Sequence, residues 1–281
     1  MLRVRPVHFT SHLEQWAQLL TDIGMTDIGM TDIGMVKTVG NGSWREFAAG
    51  SGRLALQAVE NGSPADGTTA FGVEVGNLEE FARRTNEAAA QEAEALEAAA
   101  MEAGDTQSRA AEAANETAGP ERAGVVSAVL VDSDHGRACR VLARDGFSFL
   151  ADPASEGANS ADADPALTVV GVWFTEDTVL AAAALRSIGA RPRPVPDNDE
   201  TADFTAKNGG VLMARPAMGP ARAGLGFEYG GDLDGLQERL TSAGWEVSST
   251  EEYFGRTLHL PNPDAEGSVV HHPRLWIAGR R

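Results

Sequence analysis

A short strand-and-helix pattern that recurs four times constrains this chain more than any other feature. Pro6-Val7-His8-Phe9, Gly72-Val73-Glu74-Val75, Gly171-Val172-Trp173-Phe174 and Gly226-Phe227-Glu228-Tyr229 each alternate as a half-buried strand does. Each runs into a helical pattern: HLEQWAQLLTDIG, NLEEFARR, EDTVLAAAALRSIG and DLDGLQERLTSAG. Three of these end where a left-handed C′ glycine belongs, at Gly24, Gly189 and Gly244. Hairpins follow at Glu46 to Gln57, Arg140 to Ala151 and Asp203 to Ala214, all sharing Ala-x-[Ser/Asp/Asn]-Gly as a turn signal. The fourth copy, Thr257 to Val270, is longer and carries an Asn-Pro-Asp turn. One such unit is too small to close a core, so units must pair. The prediction is an α+β chain of four βαβββ modules, each helix on one sheet face.

Three low-complexity stretches divide the modules. Thr21 to Met35 reads TDIGM three times. A period of five would step its isoleucines about 140° apart round a helix and give no stripe, so a duplication held as a helix end or surface loop is expected. An Ala/Glu-rich run, about 79–117, is made of the best helix formers, with Gly104 as a breaker. Asp152 to Pro165 (DPASEGANSADADP) is a small-polar linker. The expected N-terminal domain is therefore 1–153, with modules at about 1–60 and 68–153. After a linker at 154–165 comes a C-terminal domain, 166–281, with modules at about 166–216 and 222–275.

Net charge is −18 over 281 residues, which repels phosphate backbones and anionic lipid heads. No apolar run reaches the length of a signal h-region or a membrane span. A cytoplasmic protein without nucleic-acid or membrane partners is the expectation, with a homodimer left open. The single cysteine, Cys139, excludes an intrachain disulfide and a thiolate zinc site, and reads as a structural bystander. Phosphate loops, nucleophile elbows and zinc-protease motifs are absent.

The βαβββ order, the strand–helix–Gly opening and the Asn-Pro-Asp final hairpin resemble the vicinal-oxygen-chelate superfamily, whose members include glyoxalases, extradiol dioxygenases, epimerases and bleomycin-resistance proteins. The resemblance covers nearly the whole chain apart from the three stretches above. It implies two glyoxalase-like domains, each a pair of modules forming a U-shaped sheet round a cavity. In catalytic members a divalent metal sits there on His, Gln or Glu from first and last strands. The glyoxalase pattern puts a Glu about four residues after the last hairpin's glycine. The matching positions here are Leu56, Leu150 and Met213, which cannot ligate such an ion. Gln57 is one residue off, which on a strand turns it to the other face. First strands offer His8 and Glu74, then Trp173 and Glu228. No metal or other cofactor is therefore favoured, and a divalent metal, if held, would fall to His8 and Glu74.

Candidate ligand-binding residues are His8, Glu74, Trp173 and Glu228 on first strands, Trp44 and Glu46 on one face of an inner strand, and Tyr229 and Tyr253 in the last module. Taken singly, each aromatic reads first as core and each carboxylate as solvent-facing. His135, in Asp-Ser-Asp-His-Gly, reads as turn chemistry. His259 could pair with one of His271 and His272. Catalytic residues are not identifiable. Three readings stay open: a metal-free small-molecule-binding protein, a metal-dependent lyase, isomerase or dioxygenase with a rearranged site, and an interaction protein using the Ala/Glu helix.

Overall fold

The computed structural model describes residues 1–28, 43–102, 124–133, 136–154, 162–194, 200–252, 255–265 and 274–280. Residues 29–35 of the TDIGM triplication, Gly104, His135, Tyr253, His271 and His272 lie outside them. The first unit contains β1 (Leu2–Val4), β2 (Val7–Thr10), α1 (Leu13–Asp22), β3 (Thr26–Asp27), β4 (Trp44–Ala48) and β5 (Arg53–Ala58). The second contains β6 (Thr69–Ala70), β7 (Gly72–Val75), α2 (Leu78–Glu102), β8 (Val126–Ser133), β9 (Gly136–Ala143) and β10 (Ser148–Pro153). The third contains β11 (Leu167–Thr175), α3 (Thr178–Ser187), β12 (Arg191–Pro192), β13 (Ala202–Thr205) and β14 (Val211–Pro216). The fourth contains β15 (Arg222–Tyr229), α4 (Leu233–Ser242), β16 (Ser248–Glu252), β17 (Gly255–Pro261) and β18 (Arg274–Gly279).

Local chemistry sets these boundaries. Side chains of Asn77, Asp177 and Asp232 accept first-turn N–H groups at 2.7–3.0 Å, capping α2, α3 and α4. The expected C′ glycines, Gly24, Gly189 and Gly244, all take positive φ, between 88° and 103°. As far as Glu102, the Ala/Glu run is the second unit's own helix. It packs on β8–β10 and, across the halves, on α3, where Glu92 meets Arg186 at 2.8 Å.

The two halves differ in their sheets. In the C-terminal half β11 and β15 pair antiparallel from Leu167↔Tyr229 to Phe174↔Arg222, giving one eight-stranded sheet. In the N-terminal half two five-stranded sheets replace it, β1-β7-β10-β9-β8 and β3-β4-β5-β2-β6. Pro6 is the physical reason, because it has no N–H to continue a ladder. Arg5 still donates to Gly72 O at 3.0 Å, but beyond Pro6 the chain changes neighbours and pairs as β2 with β5 and β6. The single U-shaped sheet expected of each half is thus present only in the second.

The hairpins of each half dock on the first strands of the other. Ser51, in the β4–β5 turn, exchanges backbone bonds with Leu167 O and Val169 N at 3.0 and 2.9 Å. Reciprocally, Gly209 O accepts from Val4 N, and Asn208 N donates to Leu2 O. The other two hairpins each drive an aspartate into a buried joint. Asp264, before β18, accepts from Thr10 Oγ1 at 2.5 Å, Trp16 Nε1 at 2.6 Å and His8 Nε2 at 2.7 Å. Asp145, in the β9–β10 turn, accepts from Thr175 Oγ1 at 3.0 Å and Trp173 Nε1 at 3.2 Å. Thr10 and Thr175 occupy equivalent places: each hydroxyl also accepts the N–H two residues on, from His12 and Asp177. The expected linker ends in this scaffold. Asp152 lies in β10, while Asp164 bonds Gly24 O through its N–H and Tyr229 OH through its carboxylate, at 2.8 and 2.9 Å.

Candidate functional site

Strand register sorts the predicted site residues by face. On β11, Val169 and Trp173 belong to the main core shared with the helices, whereas Val170 and Val172 form a separate cluster with Val211 and Met213. The face bearing that cluster is therefore the helix-free face of the eight-stranded sheet. The pairings Val172↔Gly224, Phe174↔Arg222, Thr168↔Glu228 and Phe174↔Arg215 place all these residues on it. Asp203, His259 and Trp276 share it through β13, β17 and β18. By the same reasoning Trp44, Glu46, Arg53 and Gln57 share the helix-free face of the first unit, and Glu74 and Asp152 that of the second.

The seven sequence candidates that lie within the described residues divide accordingly. Trp44, Glu46 and Glu74 come together in the N-terminal half, and Glu228 stands on the helix-free face of the C-terminal half. His8, Trp173 and Tyr229 point to the helix side: His8 and Trp173 into the two aspartate joints, Tyr229 onto the linker. His8 and Glu74 consequently do not converge. Burial and the Asp164 carboxylate push the Tyr229 hydroxyl above its ordinary value. Gln57 is corrected in the opposite sense. Leu56 is the buried core residue, and half-buried Gln57 faces the helix-free side with Trp44.

The N-terminal face is a buried charge network. Arg5 reaches Glu46 at 3.2 Å, Glu74 at 3.6 Å and Asp152, and its guanidinium lies 5.7 Å from the Trp44 ring centroid. Arg3 and Arg53 approach Glu74 at 3.1 and 3.2 Å. Burial pushes the Glu74 carboxyl up, against the opposing pull of Arg5, Arg53 and Arg3. A divalent ion there would have to displace guanidinium groups from both glutamates, so this donor set does not fit one.

The C-terminal face is built differently. Its floor is Val170, Val172, Val211 and Met213, each no more than 6% exposed. Half-buried Phe174 and Trp276 pack against that floor. Their rings lie on Gly224 and Gly226, where a Cβ would overlap Phe174 and Trp276 respectively. Charges ring the floor: Arg215 meets Asp203 at 2.6 Å and Arg193 meets Glu228 at 2.9 Å. Arg222 instead lies over the Phe174 ring, 4.9 Å from its centroid. Val170, Val172, Met213, Gly224, Gly226 and Trp276 occupy this face's central first- and last-strand positions, and none supplies a hard donor. Among the described residues no group of three or more His, Cys, Asp or Glu is placed to hold a metal.

Paired βαβββ units in both halves, with helices on one side and a clear face on the other, define the two-domain vicinal-oxygen-chelate fold. Solved structures similar to this chain include three dioxygenases. The 2,3-dioxygenase LapB from Pseudomonas sp. KL28 matches with a TM-score of 0.52 at 10% identity, over 99% of this chain and 91% of that one. BphC, a halotolerant catechol dioxygenase, matches at 0.51 and 11%, over 99% and 85%. A catechol 2,3-dioxygenase matches at 0.50 and 12%, over 99% and 86%. At such identities the likeness is one of fold alone. No family model and no curated protein matches the sequence.

Cys139 is fully buried, and burial pushes its thiol up to about 11, as suits a structural residue. No helix among the described residues is long and apolar enough to cross a membrane. Sequence reasoning missed Asp145, Asp264, Arg5, Arg53 and Arg222. The signal for the joints was the Thr two residues before the helix cap position in the first and third units.

Proposed function

We propose that this chain binds a small organic molecule on the helix-free face of its C-terminal sheet, and does so without a metal ion at that face. The observation that carries this reading is the pair of half-buried rings, Phe174 and Trp276, packed on a buried Val/Met floor within a rim of charged side chains. An apolar surface with a few placed polar groups is the usual composition of a small-molecule site. The N-terminal face, whose carboxylates are ion-paired with Arg3, Arg5 and Arg53, serves as a structural counterpart.

The test combines metal analysis with melting curves. Purified protein is assayed for bound metal, then melted with Zn, Ni, Mn or Fe(II), and separately with a panel of aromatic and alicyclic fragments. Fragments that raise Tm in the wild type but not in Trp276→Ala, with no response to metal, support the reading. Stoichiometric metal that stabilises the protein sinks it in favour of a metal-dependent enzyme with a rearranged site.

A further inference from the structure

We propose that strand β8, at the outer edge of the N-terminal half, pairs antiparallel with β8 of a second copy of this chain, about a two-fold axis at Val131. Three of the large apolar side chains exposed on the described surface lie in this one hairpin: Val129 at 50%, Leu130 at 36% and Leu142 at 37%. β8 closes one end of the sheet β1-β7-β10-β9-β8, and its run from Val125 to Val131 holds neither a charge nor a proline to guard that edge. The opposite edge, β1, is already taken by Asn208 and Gly209 of the other half.

Asn86 of α2 shows which backbone groups face outward. Its side chain accepts from Ala128 N–H at 2.8 Å and donates to Ala128 O at 2.9 Å, as a neighbouring strand would. Alternation along an antiparallel strand turns the N–H and C=O of Leu130 and Asp132 outward as well, and no described residue bonds them. Toward the strand's start α2 closes the edge, where Val125 N–H bonds Ala89 O at 3.1 Å. The register centred on Val131 uses all four groups of both copies, with Leu130 opposite the second copy's Asp132. No like charges then face one another, and Arg137 lies across from Asp132 on its own β9. The odd-numbered side chains of β8 point away from α2, and the two Val131 side chains meet at the axis. On that face β8 and β9 present Val129, Val131, Arg140 and Leu142 and no carboxylate. In a chain of net charge −18, such a surface is where two copies meet with least repulsion. So short a ladder falls below the roughly 1,600 Å² of a standard interface, so Kd should be weak, on the order of 10–100 µM.

The test sediments the full chain over a concentration series at low and at physiological salt. Dimer should appear in the upper range and strengthen with salt, which screens the repulsion between two acidic copies. Leu130→Asp sets like charges against the second copy's Asp132 and should weaken association about tenfold, whereas Leu130→Lys should hold or tighten it. Unfolding curves that match wild type separate this from a folding defect. Val131→Cys reads the register: across the axis its Cα atoms lie about 4.5 Å apart, within disulfide range, so mild oxidation should cross-link it. Val129→Cys should stay uncrosslinked, because its counterpart lies four residues along the second strand, about 13 Å away. The native Cys139 is buried in the core and does not compete. A dimer indifferent to Leu130→Asp, or one cross-linked through Val129→Cys and not Val131→Cys, would overturn this pairing. A monomer at every concentration, with Val131→Cys uncrosslinked, would overturn it as well.

Discussion

Replacing Asp264 with alanine should be among the most damaging single changes in this protein. The carboxylate has a side chain with no exposure, and it serves three donors that are themselves shut from water: His8 is 3% exposed, Thr10 and Trp16 0%. Hydrogen bonds to a charged group contribute about 1.5–3 kcal/mol each, but three bonds to one carboxylate do not add independently. Removing one partner from a buried pair costs about 3–5 kcal/mol, which is the loss expected for Asp264→Ala. Asp145→Ala should cost less, about 1–3 kcal/mol, because Asp145 is only half-buried and its bonds to Thr175 and Trp173 are longer, at 3.0 and 3.2 Å. Urea unfolding followed by circular dichroism and tryptophan fluorescence measures both. The Asp264 joint also has a pH signature. Burial raises its pKa, but hydrogen bonds from His8, Thr10 and Trp16 outweigh that and leave it below the ordinary 3.8. A carboxyl depressed in the folded state binds more protons when unfolded. Its contribution is therefore complete above the ordinary carboxylate range and is lost as pH falls through the depressed value. Asp264→Asn should lack that acid-side loss. Stability of Asp264→Ala within about 0.5 kcal/mol of wild type, or below the Asp145→Ala loss in size, would refute the argument from buried donors.

Three further outcomes follow from packing and charge. Gly226→Ala should lift the Trp276 indole off the sheet and destabilise by about 1–3 kcal/mol through overpacking, with a shift in tryptophan emission; an unchanged spectrum counts against the stacked ring. Glu74→Gln should cost about 3–5 kcal/mol, since it takes the shared countercharge from Arg3, Arg5 and Arg53; urea melts at neutral pH check this, and a neutral outcome would show the arginines re-paired with Glu46 and Asp152. Cys139, with its thiol pushed up to about 11 by burial, should resist a disulfide reagent at pH 8 until the protein is unfolded; rapid labelling of native protein would contradict its burial.

The fourfold unit was legible because strand alternation, helix period and C′ glycines are local signals. Face was harder to read. Alternation separates His8 and Thr10 from Val7 and Phe9, but it does not say which pair meets the helices. The answer depends on Trp16 packing beside His8, 4.2 Å between ring centroids, and on Asp264, 254 residues from Thr10. Pairings at that separation leave no periodic trace. Arg5 and Arg53 were hidden by a different effect. Buried arginines on strand positions look like solvent-facing alternation until their carboxylates are found on other strands. Trp44 and Glu46 were placed together correctly because a single strand's parity was enough.

The crossed docking of hairpins on first strands also has a consequence in time. Asp264 is made 254 residues after Thr10. At roughly 5–20 residues per second, a nascent chain spends on the order of ten to fifty seconds with His8, Trp16 and Thr10 lacking their acceptor. The first unit can form its strands and α1 in that interval, but it cannot seal them. Synthesis slowed between Thr10 and Asp264 would lengthen the period in which Trp16 is available to chaperones, and would do so without altering a single contact of the finished protein.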